Sequence, residues 1–178
     1  PYAARALLRM ARHAVDLDQQ PAAAMPFLDQ LRTDYLKFPE APEAMLLRGE
    51  LLARQARRPA ELKDATAEFH RVLDLYPDAP ACAEARLQLG LALAGQELWG
   101  RALVQFVDAI RLHTGSTVVP TALLQAGEML DRLGDLDGSL RMQQRLNAVA
   151  PGSPEAGEAA WRMAVRVKHR LQRPPLRN

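Results

Sequence analysis

Tyr76 to Ala85 reads YPDAPACAEA, and the same succession returns as FPEAPEA from Phe38 to Ala44 and as APGSPEAGEA from Ala150 to Ala159. Each copy sets an aromatic residue or alanine before Pro-x-small-Pro and follows it with an alanine-rich apolar stretch. Proline cannot continue a helix, whereas Pro, Ser or Thr a few residues later suits the first turn of a new one. Each copy is therefore a place where one helix stops and another starts. Pro39, Pro77 and Pro151 are separated by 38 and 74 residues, the second being twice 37. One period after Pro77 stands Thr114, where Thr-Gly-Ser-Thr keeps turn and capping chemistry without the prolines. The period is about 37 residues, with four junctions.

Between junctions, apolar residues recur at helical spacing twice, with a turn between the two runs. Leu87, Gly90, Leu91 and Ala94 share one face, Gly95 to Gly100 make a turn, and Ala102, Phe106, Ala109 and Ile110 line a second helix. Leu124, Gly127, Leu130 and Leu133, the turn Gly134-Asp135, and Leu136, Leu140 and Leu146 repeat the pattern. Gly90 to Ala102 and Gly127 to Ser139 each span 12 residues, whereas Gly49 to Ala65 spans 16, so the turn holding Arg57-Arg58-Pro59 is four residues longer. Insertions in repeat proteins fall in loops.

Composition agrees with an all-α chain. Of 178 residues, 48% are hydrophobic and only 5% aromatic, and the apolar letters are mostly Ala, Leu and Val among Arg, Glu, Asp and Gln. That mixture favours helices over strands. No apolar run reaches the roughly 18 to 20 residues that cross a bilayer. The single Cys82 forms no intramolecular disulfide and leaves the compartment open. A chain that starts at Pro1 reads as a fragment or processed form. The net charge of +2 hides an asymmetry: six cations follow Trp161 with no acid after Glu158, leaving 17 basic against 21 acidic residues elsewhere. The body is mildly acidic and only the C-terminal segment is basic, which excludes a uniformly basic nucleic-acid binder.

A helix hairpin of 34 or more residues, with a small residue in its first helix, Ala and then an aromatic four later in its second, and Pro near its end, resembles the tetratricopeptide repeat (TPR). Gly49, Ala65, Phe69 and Pro77 match, then Gly90, Ala102, Phe106 and Ala109, then Gly127, Gly134-Asp135-Leu136 and Pro151. Thr114 in place of Pro, Ser139 in place of Ala and Gln143 in place of the aromatic depart from it. In the first repeat Phe27 and Leu31 take the second-helix slots, after a first helix from about Tyr2 to Leu17. The junctions are most similar to those of the periplasmic subgroup that includes the BamD-type lipoprotein of outer-membrane assembly and the TPR partner of the Tol-Pal system.

The resemblance implies a right-handed superhelical solenoid of antiparallel helix hairpins, one domain over residues 1–171. Its repeats are approximately 1–39, 40–77, 78–114 and 115–151, with a final helix over 153–171 and a basic, proline-containing tail over 172–178. It implies a concave groove lined by first helices. Carried over repeat by repeat, the groove positions are Glu43, Leu46 and Glu50, then Glu84, Leu87 and Leu91, then Leu124, Glu128 and Asp131. Acids mixed with leucines, without a lysine and asparagine clamp for a chain terminus, point to a partner segment with basic and apolar residues. Against this stands a plainer reading in which Leu46, Leu87 and Leu124 pack between repeats and the acids face solvent. Trp99 is expected to pack between helices, and Trp161 to plug the end of the core or meet a partner.

Arg166, Lys168, Arg170 and Arg173 read first as a solvated helix end and second as a contact for an anionic surface, with no interleaved aromatics for stacking on bases. Chemistry-bearing motifs are absent. His13, His70, His113 and His169 fall in different repeats, offering a metal no paired ligands. No phosphate-binding glycine loop or nucleophile elbow occurs, and Ser116, Ser139 and Ser153 read as helix caps. The expectation is a non-catalytic protein-interaction scaffold without cofactor, metal or small-molecule substrate, in a bacterial cell-envelope assembly at the periplasmic side. The alternatives are a cytoplasmic adaptor or regulatory domain of a larger protein, and a structural subunit of a complex.

Overall fold

The computed structural model describes residues 2–16 and 20–171, and among them every regular element is helical. The helices are α1 (Tyr2–Asp16), α2 (Pro21–Asp34), α3 (Ala41–Gln55), α4 (Leu62–Leu75), α5 (Ala81–Gly95), α6 (Trp99–Leu112), α7 (Val119–Arg132), α8 (Leu136–Val149) and α9 (Pro154–Leu171), with a 3₁₀ turn at Pro59–Glu61 before α4. The chain divides into two compact units, residues 1–105 and 106–178, and the division falls within α6.

The junctions close in one way. The carbonyl of Tyr35, Tyr76, His113 or Ala150 accepts a hydrogen bond from the N–H three residues on, that of Phe38, Ala79, Ser116 or Ser153, at 2.9–3.2 Å. Counting back from those four carbonyls aligns the second helices. Eleven residues earlier stand Ala24, Ala65, Ala102 and Ser139; seven earlier, Leu28, Phe69, Phe106 and Gln143; four earlier, Leu31, Val72, Ala109 and Leu146. All are buried except Gln143, which is half-buried. Small residues where helices touch and one large side chain per hairpin give each second helix a single buried stripe.

This register corrects two sequence expectations. The junction carbonyls are 41, 37 and 37 residues apart, so Pro39 is the counterpart of Pro80, and Leu36, not Pro39, is the counterpart of Pro77. The apparent spacing of 38 compared different positions of the turn; the insertion before α4 lengthens that repeat to 41. In the first repeat the second-helix slots belong to Ala24 and Leu28, while Phe27 is only half-buried.

The turn between α5 and α6 is shorter than expected, that between α7 and α8 one residue longer, and the two are alike. Helix α5 runs through Gly95 and α6 starts at Trp99, so Gly100 is helical and Gln96–Leu98 form the turn. The Glu97 N–H donates to the Ala94 carbonyl and that of Leu98 to Leu93, as Gly134 does to Asp131 and Asp135 to Leu130. Such a cap holds its central residue in the left-handed region, where Gly134 sits at φ 84° and Glu97, carrying a Cβ, at 62°. Asp135 caps α8 by accepting from the Gly138 N–H at 2.8 Å, and Ser153 caps α9 by accepting from that of Ala156 at 3.2 Å. Ser139, expected as a cap, is buried inside α8 instead.

In the N-terminal unit α1 packs on α2, α3 on α4, and α4 on α5. Ala4, Leu8, Ala11, Leu28, Leu31 and Leu51 belong to a first core cluster, while Met45, Val72, Cys82 and Ala85 tie α3, α4 and α5 together. Gly49 lies against the Phe69 ring so closely that a Cβ there would sit 2.5 Å from Cε1. Beside this contact the buried Glu68 carboxylate of α4 accepts from Arg32 of α2 at 3.1 Å and pairs with Arg48 of α3 at 3.0 Å, and Arg48 reaches Asp29 at 2.8 Å. In the C-terminal unit α7 packs on α8, and α9 packs on both.

Candidate functional site

The expected groove residues fall into three settings. In the first, Arg5, Arg9 and Arg12 of α1 lie across a cleft from Glu40 and Glu43. The Arg12 guanidinium pairs with Glu43, and Arg5 Nε donates to Glu40 at 3.3 Å. Glu43 is thus engaged by the chain's own arginine.

The second setting lies between α3 and α5, which pack against each other. Glu50, Ala53 and Arg54 from α3 and Glu84 and Gln88 from α5 line an open cleft of about 450 Å³. Burial pushes the Glu50 carboxyl above its ordinary value of 4.5, the Glu84 charge pushes it further, and Arg54 pulls it part of the way back. Glu84 accepts from Gln88 Nε2 at 2.7 Å. Glu50 makes no ion pair with any described residue. Two carboxylates on successive first helices therefore share an open cleft, with Arg54 as the cation among its lining residues.

Leucines around this cleft follow the plainer reading in part. Leu87 is buried, and Leu46 is half-buried against the cluster of Met45, Val72, Cys82 and Ala85. Leu91 is half-buried.

The third setting is in the C-terminal unit, where Leu124, Glu128 and Asp131 line one small cavity of about 30 Å³ among α7, α8 and α9. It lies beside Gln143, where two other hairpins place a phenylalanine, and it has room for a water molecule or two. Leu124 is buried. Glu128 accepts from Arg162 Nη1 at 2.6 Å, and Arg162 also donates to Glu158 at 2.6 Å. Burial works against the Arg162 charge, yet the two carboxylates outweigh it and raise its pKa. Unlike Glu50, Glu128 is already matched by a cation on the following first helix.

Among the basic candidates, Lys168 is exposed on α9. The side chains of Arg166 and Arg170, and all of Arg173, lie outside the described residues. Trp161 is 65% exposed on α9, and Trp99 is half-buried at the start of α6. None of the described helices is long and apolar enough to cross a membrane.

Sequence reasoning missed the Glu68 cluster and the Arg12–Glu43 and Arg162–Glu128 pairs. The partners on different helices are 19 to 36 residues apart, and a charge on one strip of helix looks the same in the sequence whether or not an opposite charge faces it. No protein-family model matches the chain, and no curated protein sequence matches it.

Proposed function

We propose that the chain is a TPR-like helical repeat protein, a right-handed solenoid of helix hairpins, that serves as a non-catalytic scaffold by binding a partner segment on its first helices. The common register of the second helices and the packing of α3 on α5 and of α7 on α9 support the repeat reading. The observation that carries the binding reading is the Glu50–Glu84 cleft. Equivalent acids elsewhere are answered from within the chain, Glu43 by Arg12 and Glu128 by Arg162, while Glu50 faces a second carboxylate.

A lysine or arginine entering that cleft relieves the repulsion and favours the charged form of Glu50, giving a gain in binding that the free chain lacks. Leu91 and Leu46 offer half-buried apolar surface on the same helices. A segment with basic and apolar side chains is the fitting ligand. The likeness of the junctions to the periplasmic TPR subgroup supports a setting in a bacterial envelope assembly.

The test is affinity capture from fractionated cells with the chain and its Glu50→Lys, Glu84→Lys variant, with circular dichroism to establish that both fold. Envelope proteins held by the first and lost by the second support the reading. Equal retention by both removes the cleft as the binding site, and retention of soluble proteins alone removes the envelope setting.

A further inference from the structure

Beside the Glu68 cluster, α2, α3, α4 and the turn after α2 line an open pocket of about 340 Å³ formed by Arg32, Thr33, Leu36, Met45, Arg71 and Leu75. Its exposed lining is almost wholly apolar, and none of the lining residues is acidic. Leu36 is 41% and Leu75 54% exposed, so the pocket carries aliphatic surface that the described chain leaves uncovered. Leu36 is held in place from below, because the Tyr76 hydroxyl donates to its carbonyl.

Its charge is unbalanced. Arg32, Arg48 and Arg71 converge on one oxygen of Glu68, at 3.1, 3.0 and 3.6 Å, and Arg48 also engages Asp29. Three guanidiniums thus share two carboxylates. The Arg71 contact is the longest and its side chain is half exposed, while Arg32 keeps a buried Nε without a hydrogen-bond partner. A guanidinium offers five donors in a rigid fork suited to a carboxylate, and the weakly held Arg71 is the one able to turn outward to a second one.

We propose that this pocket is a second docking surface, for a partner segment in which a carboxylate side chain lies beside a leucine-like side chain. The carboxylate pairs with Arg71 at the rim, next to Arg32, and the aliphatic group covers Leu36 and Leu75 over Met45. The site is separate from the Glu50–Glu84 cleft and takes the opposite charge, so neither reading depends on the other.

The experiment is an NMR titration of the full ¹⁵N-labelled chain with a peptide of about a dozen residues centred on Leu-Glu-Glu-Leu. Saturable shifts grouped at Thr33, Leu36, Arg71 and Leu75 are expected. Arg71→Gln, Leu75→Ser, or replacement of the peptide's Glu by Gln is each expected to weaken binding about tenfold, the effect of one good contact. Both substitutions fall on exposed side chains, and the variants' own spectra show whether the fold persists. No saturable shift up to about 1 mM peptide, shifts grouped elsewhere, or affinities unchanged in both variants would overturn the proposal.

Discussion

Gly49 and Gly127 occupy the same place in their hairpins, and a phenylalanine ring stands over the first alone. At Gly49 a Cβ would meet the ring of Phe69, which is fully buried and has nowhere to go; at Gly127, where Gln143 replaces the ring, the nearest atom is Met142 Cβ at 3.6 Å. Gly49→Ala should therefore cost about 1–3 kcal/mol through overpacking. Gly127→Ala should gain on the order of 0.5–1 kcal/mol from helix propensity. Urea unfolding of the two variants checks the contrast, and equal effects would mean that the ring does not set it. Glu50 gives a second residue-level expectation. Its pKa is raised in the fold, so its contribution to stability is greatest when it is protonated and is lost as pH rises through the folded value. Glu50→Gln should accordingly raise the melting temperature at pH 7, with the advantage shrinking as pH falls through the folded value and gone below 4.5, the ordinary value. A pH series of thermal melts reads this directly.

Between helices, much of the fold was legible and its register was not. The prolines and glycines mark where helices must stop, so the alternation of helix and turn follows from local chemistry alone. Pro39 misled because a proline fits at more than one position of the same turn, while the hydrogen bond closing that turn starts at Tyr35. The spacing of Gly49, Gly90 and Gly127 is the sounder guide, since its steps of 41 and 37 residues are those of the junction carbonyls. Charges that join helices left no such trace. Glu68 stands directly before the buried Phe69 and is itself 3% exposed, held by arginines from α2, α3 and its own helix. Removing it in Glu68→Ala takes from Arg48, which is itself largely buried, its buried partner and leaves it only the half-exposed Asp29. The expected loss is about 2–3 kcal/mol, less than the cost of a buried charge left with no partner at all. A loss below about 1 kcal/mol, typical of surface pairs, would show that water already screens the cluster.

For the molecule as a whole, the sequence carried the candidate positions and missed which of them are free to act. Carrying groove positions over from the TPR pattern named Glu43, Glu50 and Glu128 alike, because all three are acids on first helices. Their facing residues separate them: Arg12 and Arg162 neutralise two, and Glu84 opposes the third. Leu87 and Leu124 are core residues, since helical spacing marks a buried stripe as readily as a binding one. The central claim is that the cleft lined by Glu50 and Glu84 receives a basic, apolar segment. The most direct measurement is an NMR titration of the ¹⁵N-labelled chain with a peptide of about a dozen residues alternating Lys and Leu, repeated on Glu84→Gln. Saturable shifts centred on Glu50, Ala53, Arg54, Glu84 and Gln88 are expected, with binding about tenfold weaker in the variant. Shifts centred elsewhere, or the same affinity in both proteins, would contradict it.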